Sequence, residues 1–349
     1  MKLIRKSLGL VVAFLLTIFI FGHVSYMYRA YPRQMGYYAL EKGAVDVVLI
    51  GTSNTFSSFM PMEAYKNYGL ASFVFATNMQ MESTLDNSLK EVLKYQSPEL
   101  IMVDISPFMV GHYPGYSGDD PEENMGLVRY NVDSMRYSLN RAEAVAEMNE
   151  GVDGDFFNFL NYYFDISRYH SRTPILEQFN NASVGPEMGY GYLKRNEVEN
   201  IAEVELLTDD GSEAKLEEVE MGYLNDLLKV AGSCEERVVF FCSPQYFKDS
   251  AVFGKKNYVS RLVQEAGFEF WDFSADIERF GFDLSQDFWS HDHTDSLGAE
   301  KATKVISEII IENCQLSDRR GDPKCAVFEE NMEAWELFKA NANGADLAE

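Results

Sequence analysis

Five short runs of apolar residues, rich in β-branched and aromatic side chains, punctuate the chain: residues 45–50 (VDVVLI), 72–76 (SFVFA), 100–105 (LIMVDI), 237–242 (RVVFFC) and 268–273 (FEFWDF). Each has strand length and lacks the polar alternation of a strand with one wet face, the pattern of a strand buried on both faces of a parallel sheet. Helical patterns lie among them. Residues 83–95 carry Leu85, Leu89, Val92 and Leu93 at helical spacing, 216–230 carry Val219, Tyr223, Leu227 and Leu228, and 297–311 carry Ala302, Val305, Ile306, Ile309 and Ile310. Parallel neighbours require crossovers, and crossovers of one hand put helices on both faces. The expected fold class is therefore α/β, a doubly wound, flavodoxin-like parallel five-stranded sheet with helices on both faces and strand order 2-1-3-4-5.

The alternation breaks between about residues 110 and 211, a stretch rich in Tyr, Asn, Gly and Asp with an aromatic helical segment at 156–163. It reads as a mixed insertion on the carboxyl-end face of the sheet, there to cover the site or simply to stabilise the fold. The α/β domain is expected over 44–315. An acidic C-terminal tail follows over 316–349, in which Val327, Met332, Trp335 and Phe338 are spaced for one amphipathic helix.

At the other end, Lys2, Arg5 and Lys6 precede an uncharged run over residues 7–22, SLGLVVAFLLTIFIFG. Its length lies between a signal-peptide core and a full membrane span, and Leu3, Ile4, Val24, Tyr26 and Tyr28 can extend it to the interface. Residues 1–25 are expected to be a membrane anchor with a cytoplasmic N-terminus, followed by a connector over 26–43. His23-Val24-Ser25 is a poor signal-peptidase site, and cleavage there would make the protein secreted instead. The net charge of -25, from 55 acidic and 30 basic residues, excludes a nucleic-acid partner, since phosphate backbones demand clustered cations. Cys234, Cys242, Cys314 and Cys325 contain no C-x-x-C pair, so neither a zinc nor a thioredoxin-type site is expected. Cys314 and Cys325, which flank a polar stretch, are a possible bridge.

Two segments carry residues suited to chemistry. The first strand runs into Gly51-Thr52-Ser53-Asn54, and the carboxyl end of a parallel strand is where such sheets place ligands. Ser53 reads as a nucleophile, or Ser53 or Thr52 as the cap of a following helix. Residues 288–303 (FWSHDHTDSLGAEKAT) hold His291 and His293 just before the last amphipathic helix. A serine nucleophile needs a base, and the base a carboxylate; Asp287, Asp292 and Asp295 are all close in sequence. The rival readings are an H-x-H metal pair, for which no third neutral ligand is evident, and a polar loop whose Asp295 or Ser296 caps the helix.

The segments VDVVLIGTSNTFSSFMP and YGLASFVFATNMQ resemble the opening of SGNH/GDSL-type hydrolases, and HDHTDSLGAEKAT resembles the closing motif of one branch. That branch includes the D-alanyl-transfer protein DltD and surface-polysaccharide acyl-transfer relatives; RYHSR at 168–172 is also similar. The likeness covers roughly residues 45–104 and 238–311. It implies Ser53 as nucleophile and His293 as general base. Ser290 stands where the family has its aspartate, leaving Asp292 or Asp287 as the orienting carboxylate, or a Ser–His dyad with none. Asp104-Ile105-Ser106-Pro107 replaces the family's G-x-N-D, so the oxyanion donors fall to the Ser53 amide, Asn78 and Gln80. The resemblance implies an extracytoplasmic serine esterase or O-acyltransferase acting through an acyl-enzyme on a cell-surface glycan or related envelope polymer. No cofactor and no metal would be needed, and a polytopic membrane acyltransferase is the implied partner. The departures point to the alternative, a catalytically impaired relative that binds glycan or scaffolds a modification complex.

Overall fold

The computed structural model describes residues 6–14, 16–17, 34, 36–111, 129–133, 135–149, 160, 162–164 and 199–344. Strands β1 (Val47–Gly51), β2 (Ser72–Ala76), β3 (Leu100–Asp104), β4 (Arg237–Cys242) and β5 (Glu269–Asp272) form one parallel sheet in the order β2-β1-β3-β4-β5, as the sequence pattern predicts. Gly51 pairs with Ala76, and Asp104 with Phe241, so the strands end together along one rim. β1 starts two residues later than expected; the Asp46 backbone still bonds to Ala71 and Leu100, and its carboxylate is paired with Arg319. Phe268 stays out of β5 because its amide closes back on the Val263 carbonyl (3.2 Å).

Alternate strand residues feed two cores, as the two-residue period of a pleated strand dictates. Val48, Ile50, Phe73, Phe75, Ile101, Val103 and Phe240 face helices α3 (Leu85–Tyr95), α6 (Glu218–Ala231) and α7 (Ser250–Glu265). Val47, Leu49, Val74, Met102, Val239 and Phe241 face α1 (Ser53–Ser58), α2 (Pro61–Tyr68) and α8 (Ser296–Asn313). Helix α7, the crossover between β4 and β5, is absent from the sequence reading although Val259 and Val263 mark its buried face. A short helix α4 (Ser106–Val110) follows β3.

Most of the expected insertion, including RYHSR, lies outside the described residues. Its described part contains a helical turn at Tyr130–Asp133 and helix α5 (Leu139–Met148). Val132, Met135, Ala144, Val145, Met148 and Tyr162 form a small core of their own with Met81. Of the expected anchor, residues 6–14 and 16–17 are described; they are helical, with Leu8, Leu10, Val11, Val12, Phe14 and Leu16 exposed. Among the described residues no helix is long and apolar enough to cross a membrane. All four cysteines are free thiols, so Cys314 and Cys325 are not bridged.

The segment expected as an acidic tail is instead part of the main core. Two helices, α9 (Ala326–Glu330) and α10 (Met332–Gly344), take the place of the single one expected, and they bury Phe328 and Trp335. Phe328 stacks on Tyr65 with centroids 4.7 Å apart. Trp335 Nε1 donates to Glu63 Oε1 (2.7 Å), and Lys339 Nζ bridges Glu63 on α2 (2.8 Å) and Glu300 on α8 (2.5 Å). Apolar burial overrides the acidic composition here because Lys339 and Arg319 neutralise the carboxylates that the docking buries.

Trp335→Ala empties a fully buried site and is expected to cost about 3–5 kcal/mol in urea unfolding; a loss below about 1 kcal/mol would mean the C-terminal helices are not part of the cooperative fold. A second expectation concerns Glu147 on α5, which has a buried carboxylate oxygen without a partner. Burial, reinforced by Asp86 and Glu143, pushes its pKa up to about 8. Because the folded-state value is the higher one, its contribution to stability is full below the ordinary value of 4.5 and is lost as pH rises through about 8. Glu147→Gln should therefore match the wild type in acid and exceed its urea midpoint increasingly up to about pH 8.

Candidate active site

The strand order reverses between β1 and β3, and Ser53 lies just past the end of β1 at that point. Thr52 is extended and α1 starts at Ser53, so the hydroxyl is presented by a tight strand-to-helix turn. The turn depends on Gly51: a Cβ there would lie 2.1 Å from Thr55 Oγ1 and 2.7 Å from the Asp104 Cβ. The amides of Thr55 and Phe56 both donate to the Thr52 carbonyl, whereas the Ser53 amide, the first of the helix, has no acceptor within it.

His293 reaches the same rim from the other end of the chain. Strands β6 (Phe288–Ser290) and β7 (His293–Thr294) form a small antiparallel hairpin ahead of α8, with His291 and Asp292 at its tip. Thr294 Oγ1 ties the hairpin to the Ser57 carbonyl (2.5 Å). Asp295 caps α8, accepting from the amides of Leu297 (2.9 Å) and Gly298 (2.8 Å). Asp295 thus takes the capping role that the sequence allowed it.

His293 Nε2 lies 2.7 Å from Ser53 Oγ, and its Nδ1 lies 2.8 Å from Asp292 Oδ1. With the serine hydroxyl donating to Nε2, the ring hydrogen is on Nδ1 and donates to Asp292. Ser290 does not replace the carboxylate; its hydroxyl donates to Asp292 Oδ1 (2.6 Å) and lies 3.0 Å from Nδ1. Burial pushes the Asp292 carboxyl up, but the hydrogen bond and charge of His293, with the Ser290 hydroxyl, outweigh it and hold Asp292 well below the usual carboxylate range. Asp292 is accordingly ionised at neutral pH. The Trp289 ring packs against that of His293, centroids 4.6 Å apart.

The other candidates separate cleanly. Asp287 is spent on Lys301 Nζ (2.5 Å) and the Asp283 amide (2.6 Å), away from His293. His291 lies 3.7 Å from Asp292, and burial holds its pKa below the usual imidazole value. Among the described residues no group of three or more His, Cys, Asp or Glu is arranged to hold a metal ion. Gln80 is corrected: its amide nitrogen donates to Thr84 Oγ1 (2.8 Å) inside the core, so it offers nothing to an oxyanion. Asn78 stays on the rim, in the loop that the Thr77 amide fastens to the Gly51 carbonyl (3.2 Å).

Asn54 is a site residue absent from the sequence reading. Its Nδ2 donates to the Asp292 carbonyl (2.9 Å) and to Gln245 Oε1 (3.2 Å), joining the serine turn directly to the histidine hairpin. Its place beside Ser53 was the only signal available. A hydroxyl, an imidazole and an ionised carboxylate in hydrogen-bonded series can generate a serine nucleophile and return its proton.

Asp292→Asn keeps the shape but puts a donor against Nδ1, and is expected to slow the reaction of Ser53 with an organophosphonate by about 10³–10⁴-fold. Ser290→Ala should cost far less; equal losses in the two variants would show that Asp292 is not the group orienting the ring. No protein-family model, curated protein or solved structure matches the chain.

Proposed function

We propose that the protein is a serine-dependent esterase or O-acyltransferase of the SGNH type, acting outside the cytoplasm on acyl esters of a cell-surface glycan or related envelope polymer. The observation that carries the chemistry is the unbroken series Ser53 Oγ to His293 Nε2 (2.7 Å) and Nδ1 to Asp292 (2.8 Å). Ser53 Oγ attacks the ester carbonyl carbon as its proton passes to Nε2. The tetrahedral oxyanion is received by the Ser53 amide, with Asn78 as the second donor. Collapse breaks the bond to the alcohol, which leaves with the proton from Nε2, and the acyl group remains on Ser53 as an ester. Water or a sugar hydroxyl then gives its proton to Nε2, attacks the acyl carbon and restores the free serine. Asp292 stabilises the imidazolium at each half-reaction.

The polymer substrate and the cell-surface setting rest on the likeness of GTSN and HDHTDSLGAEKAT to the acyl-transfer branch and on the exposed, apolar, helical residues 6–14 and 16–17. In this reading those residues belong to a bilayer anchor, and a polytopic membrane acyltransferase delivers the acyl group. The competing reading, a catalytically impaired relative that binds glycan or scaffolds a complex, leaned on the missing G-x-N-D and on Ser290 in place of an aspartate. With Asp292 against Nδ1 the second ground is weaker.

A fluorophosphonate probe tests the proposal on the full chain in membranes. The wild type is expected to label, Ser53→Ala to lose the label, and His293→Ala to label at least about 10³-fold more slowly. Absence of labelling in the wild type, or labelling that survives Ser53→Ala, would overturn it in favour of the binding protein.

A further inference from the structure

Asp104, the last residue of β3, is completely buried, yet among the described residues no cation pairs with it. Four hydrogen bonds hold its carboxylate instead. Oδ2 accepts from Thr55 Oγ1 (2.8 Å) and Ser243 Oγ (2.5 Å), and Oδ1 accepts from the Ser106 amide (2.8 Å) and the Ser106 hydroxyl (2.6 Å). These donors leave the ends of three neighbouring strands: Thr55 follows β1, Ser106 follows β3 and Ser243 follows β4.

From that centre, contacts run to both halves of the reacting pair. Thr55 is in the first turn of α1, within two residues of Ser53. Ser106 Oγ accepts from Gln245 Nε2 (3.3 Å), Gln245 Oε1 accepts from Asn54 Nδ2 (3.2 Å), and that nitrogen also donates to the carbonyl of Asp292 (2.9 Å). The Asp104 Cβ also packs 2.7 Å from where a Cβ on Gly51 would fall. A fully buried acceptor fixes its donors firmly, because releasing any of them leaves a polar atom unsatisfied in a medium of low dielectric.

We propose that Asp104 is a positioning residue for the serine chemistry: through Thr55 it sets the turn that carries Ser53, and through Ser106, Gln245 and Asn54 it sets the backbone of Asp292, so that Oγ and Nε2 meet. The role rests on the function proposed above. It differs from a purely structural one in what it protects, which is the reactivity of the folded molecule rather than the amount that folds.

Fluorophosphonate labelling of the full chain, resolved into the maximal rate constant kinact and the half-saturating concentration KI, separates the two roles. Asp104→Asn keeps the shape while replacing one of the two acceptor oxygens with a donor. It is expected to lower kinact by about 10- to 100-fold in the folded fraction, with KI within about twofold of the wild type. Thr55→Val, which deletes one donor and leaves the other three, should fall between Asp104→Asn and the wild type, and it decides the matter if Asp104→Asn does not fold. Wild-type kinact in either folded variant overturns the positioning role, as does a smaller labelled fraction at unchanged kinact. A wild-type chain that does not label overturns the proposed function and this role with it, whereas a labelling wild type with unaffected variants overturns this role alone.

Discussion

Gly51 closes β1 where the strand order reverses, with Thr55 and Asp104 packed so near that a methyl group has no room. That close approach lets the chain turn at once from strand to helix, and it brings the Ser53 hydroxyl onto the rim instead of into the core. The hairpin bearing His293 can meet it only because the five strands stop in register along the same rim. A side chain at Gly51 would push α1 away from β3 and take the serine with it. The nucleophile's position is therefore a matter of backbone packing before it is one of catalytic groups.

Polar groups at this rim are paired by partners remote in sequence, and this decided what could be read from the chain in advance. The strands were legible because burial on both faces leaves short, mostly apolar runs at 45–50, 72–76, 100–105 and 237–242, while the run at 268–273, broken by Glu269 and Asp272, forms the partly exposed edge strand. Ser53 and His293 were legible as short motifs at the ends of elements. Asp292 was one of three nearby carboxylates, and only the hairpin's register distinguishes it from Asp287 and Asp295. Asn54 and Gln245 lie 191 residues apart, and Ser106 and Gln245 lie 139 apart, spacings that no local periodicity encodes. Gln80 failed as an oxyanion donor for a local reason: Thr84, four residues on, takes its amide inside the core.

The C-terminal helices show composition misleading in the opposite sense. An acidic stretch suggested a solvated tail, yet Trp335 is fully buried and Glu63 beneath it is matched by Lys339. Lys339 also reaches Glu300, so one ammonium group spans the helix that follows the serine turn and the helix that follows the histidine hairpin. Helices α2 and α8 are thus fastened to each other through the C-terminal helix.

The 240 residues between Ser53 and His293 also impose an order in time. A chain made from its N-terminus exposes the serine turn early, but the imidazole that activates it appears only once β4, β5 and the hairpin have been added. A serine without its base is a weak nucleophile, so on the function proposed above the partly made chain is chemically quiet while it is being synthesised. On that reading reactivity arrives late, when α8 docks beside α1 and the final helix buries its own Trp335. Contacts so distant along the chain also make for slow folding, so that moment depends on the completion of the whole sheet rather than on any local event.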